Sequence, residues 1–198
     1  MQSGQQDLTS KPNDNRYNNT SVSLHWLMAV VVFGLFALGF WMVDLTYYSS
    51  WYKTAPYWHK SVGIILAMLL ISRLFWRFKA GKPAPIASHS ATTIKMATAV
   101  HFLLYLMLLA IVLTGYLIST ADGRGIDVFS WFEVPGLGEL FSGQADIAGA
   151  LHKWFAYGLM GLVALHALGA IKHHVIDKDA TLKRMWWSKN QENSKENP

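Results

Sequence analysis

The chain has no cysteine among its 198 residues, and charged residues make up only 15% of it. Without cysteine it cannot form disulfides, iron–sulfur clusters or thiolate metal sites, so histidine is the one strong ligand left for a soft metal. Hydrophobic residues reach 52% and are gathered into long runs, which an ordinary soluble domain does not have. These features predict one integral membrane domain.

Four apolar segments each have about the 20 residues that a helix needs to cross a bilayer. They cover residues 22–43, 59–79, 97–118 and 149–172. Tryptophans and tyrosines gather near their ends, as in the aromatic belts of membrane proteins. Residues 1–20 form a polar tail that we expect to be disordered, and residues 188–198 form a second polar tail. We therefore predict an all-α, integral membrane four-helix bundle over residues 21–187.

A signal peptide is the rival interpretation of the first segment. Its apolar run is too long for that role, and no small-residue cleavage site follows it. We therefore interpret the first segment as a retained transmembrane helix.

The charges of the loops predict how the bundle is oriented. The connection between the second and third segments carries basic residues and no acid, and six lysines and arginines lie from Lys172 onward. The connection over residues 119–148 holds five acids against Arg124 alone. By the positive-inside rule, both termini are cytoplasmic and the 119–148 loop lies outside. The net charge of +5 then reflects topology, and we predict no nucleic-acid partner.

Two histidines, His152 and His166, lie fourteen residues apart on the last apolar segment. In an α-helix this spacing closes to within roughly 40° of four full turns and spans about 21 Å, so both rings face the same way. An imidazole in hydrocarbon is costly and usually functional. The spacing therefore predicts two separate sites at two depths of the membrane.

The predicted topology gives each of these histidines a partner at its own depth. His25 matches the level of His166, and His59 matches the level of His152. Acids are nearly absent from the spans, which favours bis-histidine ligation of b-type haem over a zinc or iron site. Taken alone, His25 or His59 could be an interfacial residue, and His152 could cap the outer edge of its helix. The match of four histidines in two pairs favours haem.

Three further side chains are candidates near the cytoplasmic level. Arg73 could neutralise a haem propionate or line a quinone pocket, and its alternative is a snorkelling interfacial arginine. His101 and His173 could compete as ligands of the inner haem. His152 to His173 spans about 32 Å of helix, slightly more than the hydrocarbon thickness, so we prefer a quinone or proton role for both. A solvated helix end explains His173 equally well.

Five short motifs carry a resemblance to a known family. They read Thr20-Ser-Val-Ser-Leu-His25-Trp26, Trp58-His59-Lys-Ser-Val-Gly63 leading to Arg73, Val100-His101-Phe-Leu-Leu-Tyr105, Leu151-His152-Lys-Trp and Leu165-His166-Ala. Together they resemble the bacterial cytochrome b-561 family, over residues 20–187 and with all four spans contributing in order.

The resemblance implies a multi-pass cytochrome of the bacterial inner membrane with two haem b groups. It implies that His25 and His166 hold the cytoplasmic-side haem, and that His59 and His152 hold the periplasmic-side haem. The implied activity is that of a superoxide:ubiquinone oxidoreductase, with superoxide donating electrons to the outer haem and ubiquinone accepting them near the inner side. The alternative is a cytochrome b subunit or relay for a separate dehydrogenase or periplasmic redox partner. A small membrane transporter or metal-binding protein is the third class.

The 119–148 loop bears on the choice of donor. Its excess of acids would repel the superoxide anion at long range. Closer to the expected outer haem, a local positive funnel remains open, formed by Lys53, Lys60, Arg124 and Lys153. The length of the loop predicts a cap over the outer haem or a docking surface.

Overall fold

The computed structural model describes residues 16–187, and four long helices dominate it. They are α1 (Asn19–Met42), α2 (Thr54–Ala80), α3 (Ala91–Thr120) and α4 (Gln144–Val175). Each is long and apolar enough to cross a membrane. The chain is thus a multi-pass membrane protein built as a four-helix bundle, which confirms the predicted fold class.

The helix ends differ in detail from the sequence prediction. Asn18 caps α1 by accepting a hydrogen bond from the Ser21 backbone N–H at 2.8 Å. The first helix therefore begins before Thr20, which had been assigned to the tail. Helices α2 and α4 also begin earlier than predicted, so His59 and His152 lie inside their helices and not at the ends. Residues 1–15 and the predicted tail 188–198 lie outside the described residues.

The bundle consists of two helix pairs. Helix α1 packs along α2 and α3 packs along α4, while α2 also touches α3. A buried apolar cluster fills the middle of the bundle and takes side chains from all four helices, namely Met28, Leu66, Leu70, Leu108 and Leu159. Many outward apolar side chains are exposed, such as Phe78 at 86%, as expected of a surface that faces lipid.

The two ends of the bundle differ in charge and structure. One end, here called the basic side, holds residues 16–18, the 81–90 connection and residues 176–187. The other end, here called the hairpin side, holds the 43–53 connection and a two-stranded antiparallel hairpin. The hairpin joins β1 (Ile126–Val128) to β2 (Phe132–Val134), with Val128 opposite Phe132. The sequence predicts a loop there, and neither strand was predicted.

The hairpin is docked onto the first turns of α2. The Ser61 hydroxyl donates to the Asp127 carbonyl at 3.2 Å and accepts from the Phe129 N–H at 3.4 Å. Ser61 and Val128 are fully buried, and the Phe129 ring packs 5.1 Å from the Trp58 ring. The anchoring residue Ser61 follows His59 by two residues in α2. The hairpin therefore lies against the part of α2 that carries His59 and covers this end of the bundle.

A buried glutamine closes the other end of the same loop. Gln144 begins α4 and is fully buried. Its amide donates to the Leu117 carbonyl at 2.9 Å, and its side-chain oxygen accepts from the Leu140 N–H at 2.8 Å. Because a buried amide needs such partners, these bonds anchor the loop to the ends of α3 and α4.

Candidate functional site

The hairpin side holds one pair of facing histidines. The rings of His59 on α2 and His152 on α4 lie 6.2 Å apart between centroids, at 73° to each other. Each helix thus contributes one ring to the gap between the two helix pairs.

The hydrogen bonds of this pair determine which ring nitrogens are free. His152 Nδ1 lies 3.0 Å from the Ile111 carbonyl and 3.2 Å from the Thr114 hydroxyl. A carbonyl accepts only, so Nδ1 carries the proton and Nε2 keeps a free lone pair, as in metal-binding histidines. His59 Nδ1 is buried and makes no hydrogen bond within residues 16–187.

Two glycines make room for these rings. A Cβ atom on Gly39 of α1 would lie 3.0 Å from His59 Cε1, and one on Gly115 of α3 would lie 3.1 Å from His152 Cε1. Both distances are tighter than ordinary contact. Each ring of the hairpin-side pair is therefore backed by a glycine on the neighbouring helix.

A cavity of about 410 Å³ opens at the hairpin-side pair. Apolar side chains from all four helices form most of its wall. Lys60 and Asp122 also line it, as does Ile126 of the hairpin. The wall of the cavity therefore contains both imidazole rings, one positively charged residue and one negatively charged residue.

The basic side holds a second pair with nearly the same geometry. The rings of His25 on α1 and His166 on α4 lie 6.1 Å apart, at 71° to each other. Both pairs join the α1/α2 half of the bundle to the α3/α4 half. Leu159 of the buried apolar cluster lies seven residues from both His152 and His166, so an apolar layer separates the two pairs.

Arg73 and His101 complete the basic-side cluster. Arg73 Nη2 lies 3.2 Å from His25 Nδ1, and Arg73 Nε donates to the Tyr105 hydroxyl at 2.9 Å. Arg73 Nη1 is buried and makes no hydrogen bond in the described part of the chain. The His101 ring lies 5.1 Å from that of His166, and its Nδ1 lies 2.6 Å from the Ala97 carbonyl.

The geometry of both pairs fits a haem iron between two imidazoles. A metal–imidazole bond is about 2.0–2.1 Å long, so two opposed bonds take up about 4 Å. The ring-centroid distances are 6.1 and 6.2 Å, which leaves about 1 Å on each side. This is about the distance from the centre of an imidazole ring to its nitrogen atom. Helices α1 to α3 contain no acid, and Asp146 in the first turn is the only one in α4. Two facing imidazoles as the donor set suit the iron of a b-type haem.

The family model for prokaryotic cytochrome b561 matches residues 16–188. The chain belongs to this family. Cytochromes b561 are membrane electron-transfer proteins that bind haem b, and the histidine-lined bundle suits that chemistry.

Among curated relatives, cytochrome b561 homolog 2 of Escherichia coli (strain K12) is 52% identical over 170 residues, covering 86% of this chain and 90% of the relative. Cytochrome b561 homolog 1 of the same strain is 29% identical over 174 residues, covering 86% and 97%. A protein named probable superoxide oxidase CybB, from Yersinia pestis, is 26% identical over 175 residues, covering 86% and 95%.

One predicted residue of this cytochrome b561 lies away from both pairs. His173 lies near His89, with ring centroids 4.7 Å apart, whereas His101 contacts His166. His89 was not predicted, because it lies in a connection without helical spacing. Gly115 and Thr114 were not predicted either, because spacing along α3 does not reveal which ring of α4 they contact.

Proposed function

We propose that this chain holds two haem b groups, one between His25 and His166 and one between His59 and His152. The observation that carries the proposal is the near-identity of the two pairs, with ring distances of 6.1 and 6.2 Å and angles of 71° and 73°. His101 lies closer to His166 than His25 does, but its 5.1 Å spacing matches neither pair. We assign it to the acceptor site.

The proposed direction of electron flow is from the hairpin side to the basic side, with the basic side in the cytoplasm of a bacterial inner membrane. Haem supplies one-electron transfer at each level. The protein holds the four rings, excludes water with the apolar cluster around Leu159, and covers the hairpin-side pair with the hairpin. The positive-inside rule supports the orientation, because the 81–90 connection and the ends of α2 and α4 are basic.

We propose superoxide as the electron donor on the hairpin side. Two superoxide anions each give up one electron and leave as dioxygen, while ubiquinone takes up two electrons and two protons to become ubiquinol. Lys60 lines the cavity at His59 and supplies a local positive charge. The name of the Yersinia pestis relative supports this donor.

The charges at the cavity edge are partly compensated. Arg124 forms hydrogen bonds of 2.5 and 2.7 Å to Asp122. These bonds, and then the charge of Lys60, lower the pKa of Asp122, which therefore stays ionised at neutral pH. The charge of Arg124 is thus neutralised by Asp122. Of the cations predicted to form a positive funnel, Lys60 is the one that lines the cavity.

We propose that ubiquinone is reduced next to the basic-side pair. Arg73 has a buried Nη1 without a partner among the described residues, so it can donate to a quinone carbonyl or a haem propionate. His101 Nε2 and the Tyr105 hydroxyl lie in the same cluster and can pass protons. Of the predicted quinone residues, His173 lies in a different cluster, beyond this one toward the end of α4.

A relay function is the second candidate, and the surface of the hairpin side favours it. Large aromatic side chains are exposed there, including Tyr48 at 83% and Trp131 at 74%. Exposed aromatic patches are typical of docking surfaces. In this case a periplasmic redox protein or a dehydrogenase would deliver the electrons.

The donor is tested with the purified protein, enzymatically generated superoxide and a soluble ubiquinone analogue. We expect rapid haem reduction and one quinol for every two superoxide anions, both abolished by added superoxide dismutase. Haem that becomes reduced only when a membrane or periplasmic fraction is added would overturn the superoxide proposal and support the relay.

The ligands are tested by the pyridine haemochrome count per chain. We expect two haems in the native protein, about one in His166→Ala and in His152→Ala, and two in His101→Ala. The exposed His174→Ala variant is the matched control and should keep both. Two haems retained in His166→Ala would contradict the assignment, and one lost in His101→Ala would exchange His101 for His25.

A further inference from the structure

A second type of histidine cluster lies on the basic side, outside both proposed haem sites. It joins His89 of the 81–90 connection, His173 near the end of α4, and Asp179 just beyond that helix. One nitrogen or oxygen atom from each residue lies within 4.8 Å of the others. Ninety residues separate His89 from Asp179, so the fold brings them together.

Two of these atoms lie at hydrogen-bond distance, closer than the about 3.3 Å between ligand atoms at a tetrahedral zinc, so an ion would move them apart by about half an ångström. His89 Nε2 lies 2.7 Å from Asp179 Oδ2, and His173 Nδ1 lies 3.3 Å from the same oxygen. The three side chains are 16%, 19% and 7% exposed for His89, His173 and Asp179, respectively. They are therefore partly desolvated but still reachable from water.

His173 Nδ1 lies near two carboxylates but forms no aligned hydrogen bond to either. It lies 2.7 Å from Asp177 Oδ2, yet it is buried and lacks the alignment of a hydrogen bond. A buried ring nitrogen directed at two carboxylates without a hydrogen bond is suited to a metal ion, which accepts lone pairs from all of these groups.

The backbone and the charge state prepare the carboxylate. Asp179 Oδ1 accepts from the Thr181 N–H at 2.8 Å, and the Asp179 N–H donates to the His173 carbonyl at 3.1 Å. Although partial burial works to raise the pKa of Asp179, hydrogen bonds with His89 and Thr181 hold it well below its usual range. The carboxylate is thus ionised and oriented by outer partners, as in metal sites.

We propose that His89, His173 and Asp179 bind one divalent transition-metal ion, with zinc the best match to two imidazoles and one carboxylate. Zinc sites of this composition keep a fourth position for water or a further ligand. Asp177, now paired with Lys172 at 2.6 Å, is the nearest candidate for that position. The ion would tie the 81–90 connection to the end of α4.

The test uses the full-length, haem-loaded protein without an affinity tag, because a histidine tag would itself bind zinc. Isothermal titration with Zn²⁺ should give one site per chain, and Mg²⁺ should give none because it prefers oxygen ligands. His89→Ala and Asp179→Asn should each weaken Zn²⁺ binding by at least about 100-fold, the upper range for loss of a mere outer partner. His174→Ala, one residue from His173 and exposed, should bind as the native protein does.

Unchanged haem spectra verify that each variant is folded. If His89→Ala does not fold, the Zn²⁺ affinity of Asp179→Asn decides the test. Absence of Zn²⁺ binding by the native protein would overturn the metal site. Native Zn²⁺ affinity in both His89→Ala and Asp179→Asn would overturn it as well, and would leave a hydrogen-bonded cluster. The readout is independent of superoxide and quinone, so either proposal can fail without the other.

Discussion

For three of the histidines, the position of the proton follows from the nearest neighbour. His152 and His101 face the carbonyls of Ile111 and Ala97, which leaves their Nε2 atoms free. His25 instead faces Arg73, whose guanidinium donates only. His25 Nδ1 is then an acceptor, and its Nε2 carries the proton. Iron binding at Nε2 would therefore require the His25 proton to move from Nε2 to Nδ1, and Arg73 to turn to another acceptor.

The charge of Arg73 should raise the reduction potential of the proposed basic-side haem, because a nearby cation favours the reduced state. We expect Arg73→Gln to lower that midpoint potential by tens of millivolts, measured by redox titration of the haem absorbance. Arg77→Gln, one helical turn along α2, is the matched control and should have a smaller effect. An equal shift in both variants would assign the effect to overall charge and not to the position of Arg73 beside the basic-side pair.

The glycines behind the hairpin-side rings should be intolerant of even one carbon atom. In Gly115→Ala, the added Cβ would meet His152 at 3.1 Å, so the ring must shift by a few tenths of an ångström. We expect partial loss of one haem in this variant and in Gly39→Ala, measured as haem per chain. Gly34→Ala and Gly149→Ala add a Cβ with no atom within 4 Å and should keep both haems. Two haems per chain in all four variants would show that the His59 and His152 rings can shift without loss of haem.

At the scale of single elements, one hydroxyl makes the hydrogen bonds between the hairpin and α2. Ser61 is fully buried and bonds both Asp127 and Phe129. We expect Ser61→Ala to destabilise the docked hairpin by about 1 kcal/mol, the usual net value of a hydrogen bond. Hydrogen exchange should become faster over residues 126–134. Ser72→Ala, whose hydroxyl bonds only its own helix at Met68, should leave that exchange unchanged.

The turn of the hairpin explains why the sequence did not predict it. Phe129 and Ser130 adopt φ of 51° and 58°, a conformation that favours glycine or asparagine. Neither residue signals such a turn, and each strand has only three residues. The four helices were predictable because bilayer thickness sets their length and hydrocarbon sets their composition. The hairpin depends instead on tertiary contacts with Ser61 and Trp58.

The histidines divide in the same way. The common facing direction of His152 and His166 was predictable, because helical geometry relates residues on one helix. His89 and Asp179 were not, because nothing local relates a loop histidine to a carboxylate ninety residues away. Gly115 likewise has no local signal, since only the packing of α3 on α4 places it behind His152.

At the scale of the whole molecule, the absence of cysteine allows a clean test of orientation. Single replacements Ser50→Cys and Ser130→Cys lie on the hairpin side, and Ser88→Cys lies on the basic side. We expect a membrane-impermeant maleimide to label the first two in intact spheroplasts and Ser88→Cys only after lysis. The opposite pattern would invert the proposed topology, and the cysteine-free native chain is the blank.

The fourteen-residue spacing of His152 and His166 has a consequence for energetics. About 21 Å of helix is roughly two thirds of a hydrocarbon core of about 30 Å. An electron that moves from the hairpin side to a cytoplasmic basic side travels toward the negative face of an energised membrane. Transfer across that fraction costs about 1.5 kcal/mol per 100 mV. Membrane voltage would therefore oppose the proposed electron transfer, which would be fastest in cells whose membranes are depolarised.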